Sequence, residues 1–314
     1  MPEQQACPRR ENYKRRDLAC VVVEARSRIG GRILTRHQPG SPPVELGAEF
    51  IHGKPESLWS MVKSAGLPIV EGDGKRWLAR NGRVRSFPDF WGDHRHRSFP
   101  NPSEPEITYE KFLEKANVKE PQKATARSYV EGFNAARSDR ISAQAVAAAD
   151  RAASEIEGKK VFRLPYGYDG VIEWMACDLP PEMLHLRSEV TQIRWNSNHV
   201  DTLYWTPSSE RTFRSRRVIV TIPLGVLRAA DGERGMIRFE PPLPGWKQAA
   251  LRTLEMGHVR RFAFEFKDCF WTERIDGGFI IAPDEESADL VDAGSHRFEF
   301  ADRLGGRIGG RKDD

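Results

Sequence analysis

Short apolar runs and helical repeats alternate along the chain, and together they predict an α/β protein. Residues 19–23 have the length and β-branched content of a buried strand, and residues 218–222 form a second such run that a proline stops. A helix is predicted over residues 55–65, because proline is favoured in the first helical turn. An alanine-rich helical block is predicted between residues 121 and 155.

The second half of the chain has the pattern of short strands joined by turns. Residues 162–168 end in a Gly-Tyr-Asp-Gly turn, and residues 171–177 carry apolar side chains at helical spacing. Four strands are predicted, at residues 184–186, 190–193, 200–205 and 211–213. The last two belong to a hairpin-rich meander. In the first half, between the helix at 55–65 and the helical block at 121–155, residues 66–121 are irregular, with short strands predicted at 76–78 and 84–87.

The first strand leads into the most informative motif of the chain, an acidic residue followed by a Gly-Gly-Arg turn. Glu24 ends the predicted strand, and Gly30, Gly31 and Arg32 follow it after a short polar stretch. A carboxylate at the end of a parallel strand can accept both hydroxyls of a cofactor ribose, and glycines let the backbone approach a pyrophosphate. A Gly-x-Gly-x-x-Gly turn is expected about 20 residues before such an acid. Since the first glycine is Gly30, the sequence contains one half of a dinucleotide-binding motif.

Composition narrows the class of protein without defining its function. The 314 residues are 39% hydrophobic and 30% charged, with a formal net charge of +4, so the chain can bury one large or two ordinary cores. No concentrated basic face predicts nucleic-acid binding, and no apolar run reaches the roughly 18 residues of a membrane span. The four cysteines match neither a metal site nor a disulfide framework, and no signal peptide is recognisable. We therefore expect a soluble intracellular protein without nucleic-acid, membrane or metal partners, and the oligomeric state stays open.

Taken in order, the motifs resemble those of the flavin-containing amine oxidase superfamily, which includes the monoamine and polyamine oxidases. The matching segments are residues 23–32, 45–53, 167–170, 188–193, 218–227, 239–244, 256–259 and 270–271. Each motif is weak alone, whereas the ordered series is specific. The resemblance implies a Rossmann-like FAD-binding region, incomplete at its Gly-rich turn, interleaved with an α+β substrate-binding region.

The domain organisation follows from the same resemblance. We expect an FAD-binding region at residues 18–55 and 158–230, a substrate-binding region at 56–157 and 231–300, a flexible lead-in at 1–17 and a flexible tail at 301–314. The Gly-rich turn and the C-terminal FAD-contacting block of the family are not found in the sequence. We therefore expect a chain that is truncated at both ends, as a fragment or as a decayed homologue.

The resemblance implies that FAD is the cofactor, and it assigns the contacts with FAD. Glu24 would bind the adenosine ribose, and Val190 would meet the adenine through its backbone. Arg26, Gly31 and Arg32, with Gly30 in the same turn, would line the phosphates, while Gly47, Ala48 and Glu49 would pass beside the flavin ring. The alternatives are a surface acid at a strand end for Glu24, a generic turn for the glycines and a solvated cation for Arg32.

Two residues are implied to act on the substrate side. His52, in Phe-Ile-His-Gly, is similar to the histidine near the flavin and the amine channel of vertebrate-type polyamine oxidases, and it could orient an amine by hydrogen bonding. Arg261 stands where many family members have a lysine that holds a water near flavin N5. Arginine keeps the charge but spreads it over a planar fork and cannot act as a tunable proton acceptor. Structural roles, in packing for His52 and on a strand surface for Arg261, are the alternatives.

The implied reaction is the FAD-dependent oxidation of a polyamine-like amine or a monoamine to an imine. A hydride passes to the flavin, and oxygen regenerates the flavin with release of peroxide, so the partners are a small amine and oxygen. Two alternatives stay open: a non-catalytic homologue that acts, if at all, as a binding module, and a flavoenzyme similar to L-amino-acid oxidases.

Overall fold

The structure is a computed structural model, and it describes part of the chain. The described residues are 20–72, 76–80, 83–86, 100, 104–120, 122–257, 259, 261, 263, 279–282 and 296–299. The predicted lead-in at 1–17 and tail at 301–314 lie outside these residues. The chain divides into two compact units, each built from two separate stretches: Met1–Arg32 with Ile172–Met256, and Ile33–Val171 with Gly257–Asp314.

The first unit contains a parallel strand pair and a four-stranded sheet. Its strands are β1 (Val22–Val23), β9 (Leu184–His185), β10 (Glu189–Trp195), β11 (Val200–Trp205), β12 (Glu210–Ser215) and β13 (Arg238–Glu240). A 3-10 turn (Pro181–Met183) precedes β9, and the helices α6 (Leu224–Leu227) and α7 (Gly245–Thr253) follow the meander. Strand β1 pairs in parallel with β9, and the sheet has the order β12-β11-β10-β13.

The predicted meander is confirmed, and local chemistry explains it. The side chain of Asn196 accepts hydrogen bonds from the backbone N–H groups of Asn198 and His199, at 2.8 and 3.0 Å, which closes the turn between β10 and β11. Tyr204 on β11 is buried and stacks on Phe213 of β12, with ring centroids 5.0 Å apart. The alternating pattern therefore places one face of this sheet in a small core.

The second unit combines short sheets with a helical group. Its strands are β2 (Thr35–Arg36), β3 (Val44–Glu45), β4 (Ile51–His52), β5 (Val70–Glu71), β6 (Arg76–Arg80), β7 (Arg83–Ser86), β8 (Val161–Arg163), β14 (Phe279–Ala282) and β15 (His296–Glu299). Its helices are α1 (Glu56–Ser64), α2 (Tyr109–Lys115), α3 (Gln122–Asn134) and α4 (Ala143–Glu155). Helix α5 (Asp169–Ala176) begins in this unit and continues into the first. The sheets have the orders β2-β3, β4-β8-β5 and β15-β14-β6-β7.

Two apolar clusters hold the described part of the second unit together. One lies among α2, α3 and α4 and contains Tyr109, Leu113, Ala126, Val130, Ala143 and Val146. The other packs α1 against the sheet of β8 and contains Ile51, Val62, Phe162, Leu164, Tyr168 and Val171. Side-chain caps begin two of the helices: Thr108 accepts from the N–H of Lys111, and Ser142 accepts from the N–H of Ala145.

Most predicted elements are confirmed, and two predictions are wrong. The apolar residues 218–222 form no strand, and Ile219 is 87% exposed, because no strand in the described part of the chain pairs with this run. The stretch 66–121 is not wholly irregular, because α2 lies within it. The helical block at 121–155 is two helices separated by a turn in which Ala135 has a φ of 49°.

Two further findings bear on the predictions from composition. Cys177 is disulfide-bonded, which the cysteine spacing did not predict, whereas Cys20 is free. Among the described residues, no helix is long and apolar enough to cross a membrane.

Candidate functional sites

Glu24 is held at the carboxyl end of β1 by backbone hydrogen bonds on the β9 side. Its N–H donates to the carbonyl of His185, and its carbonyl accepts from the N–H of Ser188, both at 2.9 Å. Ser188 itself is 2% exposed, so this junction is firmly packed. The strand end predicted from the apolar run therefore places Glu24 where parallel strands end, the usual position of ligand-binding residues in α/β folds.

The Glu24 carboxylate begins a turn that the structure leaves accessible. Oε1 of Glu24 accepts from the N–H of Arg26 at 2.8 Å. A carboxylate offers about four acceptor positions, so it retains capacity for two ribose hydroxyls. Gly30 and Gly31 have φ angles of +94° and +54°, and a Cβ on Gly31 would have nothing within 4 Å.

Arg28 shapes this turn, although no sequence motif pointed to a role for this residue. Its guanidinium donates to the carbonyl of Ile29 at 3.0 Å and to the carbonyl of Gly31 at 2.9 Å. Arg26 and Arg32 are exposed on either side of the turn. The arrangement presents open backbone between two cations, which suits an anionic ligand group.

Val190 lies in β10, two residues beyond buried Ser188, in the same unit as Glu24. It pairs with Tyr204, and the register shifts between Val190 and Gln192, which marks a β-bulge. The extra residue of the bulge is Thr191, while Val190 stays paired with Tyr204. The backbone contact of Val190 stays a prediction.

In the second unit, Glu45 is a partly buried carboxylate with two hydrogen-bond donors. The Thr35 hydroxyl and the Tyr168 N–H each donate to it at 2.7 Å. Burial raises the pKa of Glu45, and the nearby carboxylates of Asp169 and Glu49 raise it further, while the two hydrogen bonds lower it. Sequence reasoning quoted Glu45 within its motif but gave the side chain no role.

Glu49 lies between two arginines that come from distant parts of the sequence. Arg163 at the end of β8 approaches one carboxylate oxygen of Glu49 at 2.8 Å. Arg261 donates to the other oxygen at 2.5 Å and to the carbonyl of Glu45 at 2.9 Å. We refer to Glu45, Glu49, Arg163 and Arg261 as the carboxylate–arginine cluster. The structure thus brings Arg261 to the predicted 47–49 segment, and it adds Arg163, which sequence reasoning missed.

His52 lies in β4, three residues beyond Glu49, among aromatic rings. Its ring centroid is 6.1 Å from that of Phe50 and 5.5 Å from that of Phe133 on α3, the latter edge to face. Phe133 is 52% exposed, so the Phe133 end of this aromatic row faces solvent. The turn after His52 is fixed, because the Trp59 indole donates to the carbonyl of Gly53 at 3.0 Å.

Each unit, taken by itself, offers groups of a chemical type that suits part of a flavin dinucleotide. The first unit offers an acceptor carboxylate, an open glycine backbone and exposed cations, which match ribose and pyrophosphate. The second unit offers polar backbone at residues 47–49 beside a charge-balanced cluster. No group of three metal-ligating side chains occurs in the described part of the chain.

Fold and sites together define an α/β protein with groups that suit a nucleotide ligand. The model of the family described as "Flavin containing amine oxidoreductase" matches residues 14–121 and 111–298. The chain belongs to this family.

Individual relatives agree with the family. Polyamine oxidase 2 of Arabidopsis thaliana is 28% identical over 283 residues, which are 80% of this chain and 54% of the relative. Polyamine oxidase 3 of Oryza sativa subsp. japonica is 28% identical over 280 residues, 80% of this chain and 55% of the relative. The chain thus spans about half the length of these curated relatives.

Solved structures show the same fold. Wild-type putrescine oxidase bound to putrescine has a TM-score of 0.66 and 19% identity. Cyclohexylamine oxidase from Brevibacterium oxydans IH-35A has a TM-score of 0.64 and 19% identity. Each match covers 84% of this chain and 64% of the solved chain. The predicted family, the FAD-binding fold class and the flavin cofactor of that family are confirmed, while the roles of individual residues and the functional domain boundaries stay predictions.

Proposed function

We propose that this chain binds FAD and oxidises an amine to an imine, with peroxide as the second product. The observation that carries the proposal is Glu24, fixed at the end of parallel strand β1 and followed by an open positive-φ glycine turn. The names of the similar proteins, polyamine oxidase and putrescine oxidase, support an amine as the substrate class.

The residues of the first unit would bind and orient the cofactor. Glu24 would accept hydrogen bonds from the two ribose hydroxyls, and the backbone at Gly30 and Gly31 would approach the pyrophosphate. Arg26 and Arg32 would balance the phosphate charge, since both are exposed beside the turn. Val190, in β10 of the same unit, would contact the adenine through its backbone.

The residues of the second unit would act near the reacting atoms. When bound, the flavin supplies the redox chemistry, namely acceptance of a hydride from the carbon beside the amine nitrogen and later reaction with oxygen. Gly47, Ala48 and Glu49 would lie beside the ring, and Arg261 would order a water without taking up a proton. His52, within its aromatic row, would orient the neutral amine by hydrogen bonding and would help to exclude water.

The test is FAD binding by the purified chain and its Glu24→Gln variant. We expect the visible absorbance of bound oxidised flavin in the wild type. The variant should bind FAD about 10- to 100-fold more weakly, because a hydrogen bond to a charged acceptor contributes about 1.5–3 kcal/mol.

Glu210→Gln is the matched control, because Glu210 is an exposed acid on β12 of the same unit. Its affinity for FAD should equal that of the wild type. A wild-type chain that stays colourless in excess FAD refutes the proposed function. Equal affinities of the Glu24 variant and the wild type refute the role of Glu24.

A further inference from the structure

The Glu49 carboxylate makes a separate contact with each of two guanidinium groups. Oε1 lies 2.8 Å from Nη2 of Arg163, and Oε2 accepts from Nη1 of Arg261 at 2.5 Å. The Glu49 side chain is 14% exposed, against 27% for Arg163 and 33% for Arg261. Such a carboxylate is shielded from water on both oxygens, so its orientation is fixed by the two arginines.

Each arginine also has a second contact of its own. Nη1 of Arg261 donates to the carbonyl of Glu45 at 2.9 Å, so this nitrogen bridges two acceptors of one segment. The guanidinium carbon of Arg163 lies 4.5 Å from the ring centroid of Phe50, a cation–π contact. The residues on both sides of Glu49 along the 45–50 segment therefore take part in holding the two cations.

We propose that Glu49 is a positioning residue that fixes the guanidinium of Arg261 against the 45–49 segment, with Arg163 as a second clamp on the carboxylate. The guanidinium groups of Arg163 and Arg261 both contact the carboxylate of Glu49, so the negative charge of Glu49 neutralises one of the two positive charges. The proposal rests on the proposed function only in its expectation that the segment lies beside the flavin ring. Arginine suits the position, because a guanidinium keeps its positive charge there, whereas the pKa of a partly buried lysine shifts readily.

The first test measures the coupling between Glu49 and Arg261 in the cofactor-free chain. Glu49→Gln and Arg261→Gln should each lower the midpoint of thermal unfolding by about 2–4 °C, as loss of one partly buried ion pair does in a chain of this size. The shift of the double variant should be smaller than the sum of the two single shifts, because both substitutions remove the contact between Glu49 and Arg261, while each also removes one contact of its own.

Glu71→Gln provides the matched control, because Glu71 is a 50% exposed acid of the same unit that lies 3.9 Å from Lys160. Combined with Arg261→Gln, it should give additive shifts. Additive shifts for Glu49 and Arg261 as well would overturn the proposal. If Glu49→Gln does not fold, Glu49→Asp takes its place in the cycle, since it keeps the charge but withdraws the carboxylate by one methylene.

The second test uses the FAD-loaded chain and has a readout other than activity. Glu49→Gln removes one negative charge beside the ring, so the midpoint reduction potential of the flavin should become more positive, while Glu71→Gln should leave it unchanged. An unchanged potential in Glu49→Gln would overturn the placement of the cluster beside the ring. If the wild type does not bind FAD, the proposed function fails, and the cofactor-free cycle still decides whether Glu49 positions Arg261.

Discussion

Glu110 and Glu45 are partly buried carboxylates of the same unit, but their surroundings move their pKa values in opposite directions. Arg127 donates to both oxygens of Glu110, at 2.7 and 3.0 Å, and Lys123 lies 2.8 Å away. Hydrogen bonding by Arg127 outweighs burial and lowers the pKa of Glu110 to about 2. At Glu45 burial is the larger effect, and the pKa rises. The pKa values of the two acids thus differ because of the side chains and backbone groups that the fold brings to each carboxylate.

The lowered pKa of Glu110 predicts a loss of stability in acid. A depressed pKa means that the native state holds the charged form more tightly than the unfolded chain does, so the contribution is complete above the unfolded value, near 4.5, and is lost as the pH falls towards 2. At pH 7, Glu110→Gln should lower the free energy of unfolding by about 1–2 kcal/mol, after allowance for solvent screening.

Urea denaturation of wild type and variant between pH 7 and pH 3 measures this effect. The difference between the two proteins should stay constant from pH 7 to about pH 5 and should shrink as the pH falls further to pH 3. Glu155→Gln, at the exposed end of α4, is the control and should stay close to the wild type at every pH. A difference that does not change with pH would show that Glu110 acts through packing alone.

A candidate site residue could be predicted from the sequence where its motif is a short, continuous stretch of the chain. Glu24 and its glycine turn lie within nine consecutive residues, and the turn geometry follows from the residue types. The pairing of Glu49 with Arg261 spans 212 residues, so no local pattern could predict it. Arg163 follows a buried phenylalanine in a short strand, and that context does not distinguish it from any other strand-end arginine.

At the scale of elements, prediction succeeded where the apolar pattern alone decides the structure. Helix α1 and the β11–β12 hairpin match their predicted positions, because each buries one face against its own neighbours. The run at 218–222 has the composition of a central strand, but composition cannot supply the neighbouring strands that would pair with it. Helix α2 has only seven residues, too few for its periodicity to stand out.

The turn that joins β4 to α1 gives a prediction about a single glycine. Gly53 has a φ of +68°, and a Cβ there would overlap the carbonyl oxygen of Ile156 and the backbone of Gly158. Gly66, after α1, has a φ of +64° with nothing within 4 Å of such a Cβ. Gly66→Ala should therefore lower the free energy of unfolding by about 1 kcal/mol, the cost of the left-handed backbone, and Gly53→Ala by about 3 kcal/mol or more.

Because the two glycines share one backbone conformation, the comparison isolates the effect of close approach. Urea denaturation of both variants measures it at neutral pH. Equal losses in the free energy of unfolding would mean that the β4–α1 turn can shift to accommodate a Cβ at little cost. The segment that carries His52 would then be less firmly held than the contacts of Gly53 indicate.

At the scale of the whole molecule, the order of the motifs along the chain predicted more than any single helix or strand did. Eight short segments in the order of one family gave its fold class and cofactor, and the family match over residues 14–121 and 111–298 agrees with them. The substrate could not be predicted in the same way. Substrate choice depends on which side chains from distant segments meet in one cavity, whereas a family motif mainly records the cofactor contacts.

Amine oxidation is the decisive measurement on this chain, which spans about half the length of its curated relatives. With FAD supplied, peroxide release should accompany putrescine, spermidine or a monoamine, and it should be absent with L-amino acids and without FAD. Only the neutral amine can lose hydride readily, so kcat/KM should rise about tenfold per pH unit below the amine pKa of about 10. Release with amino acids alone would identify an amino-acid oxidase. Bound FAD without peroxide from any substrate would identify a binding module, because cofactor and fold would then be present without the geometry that orients an amine.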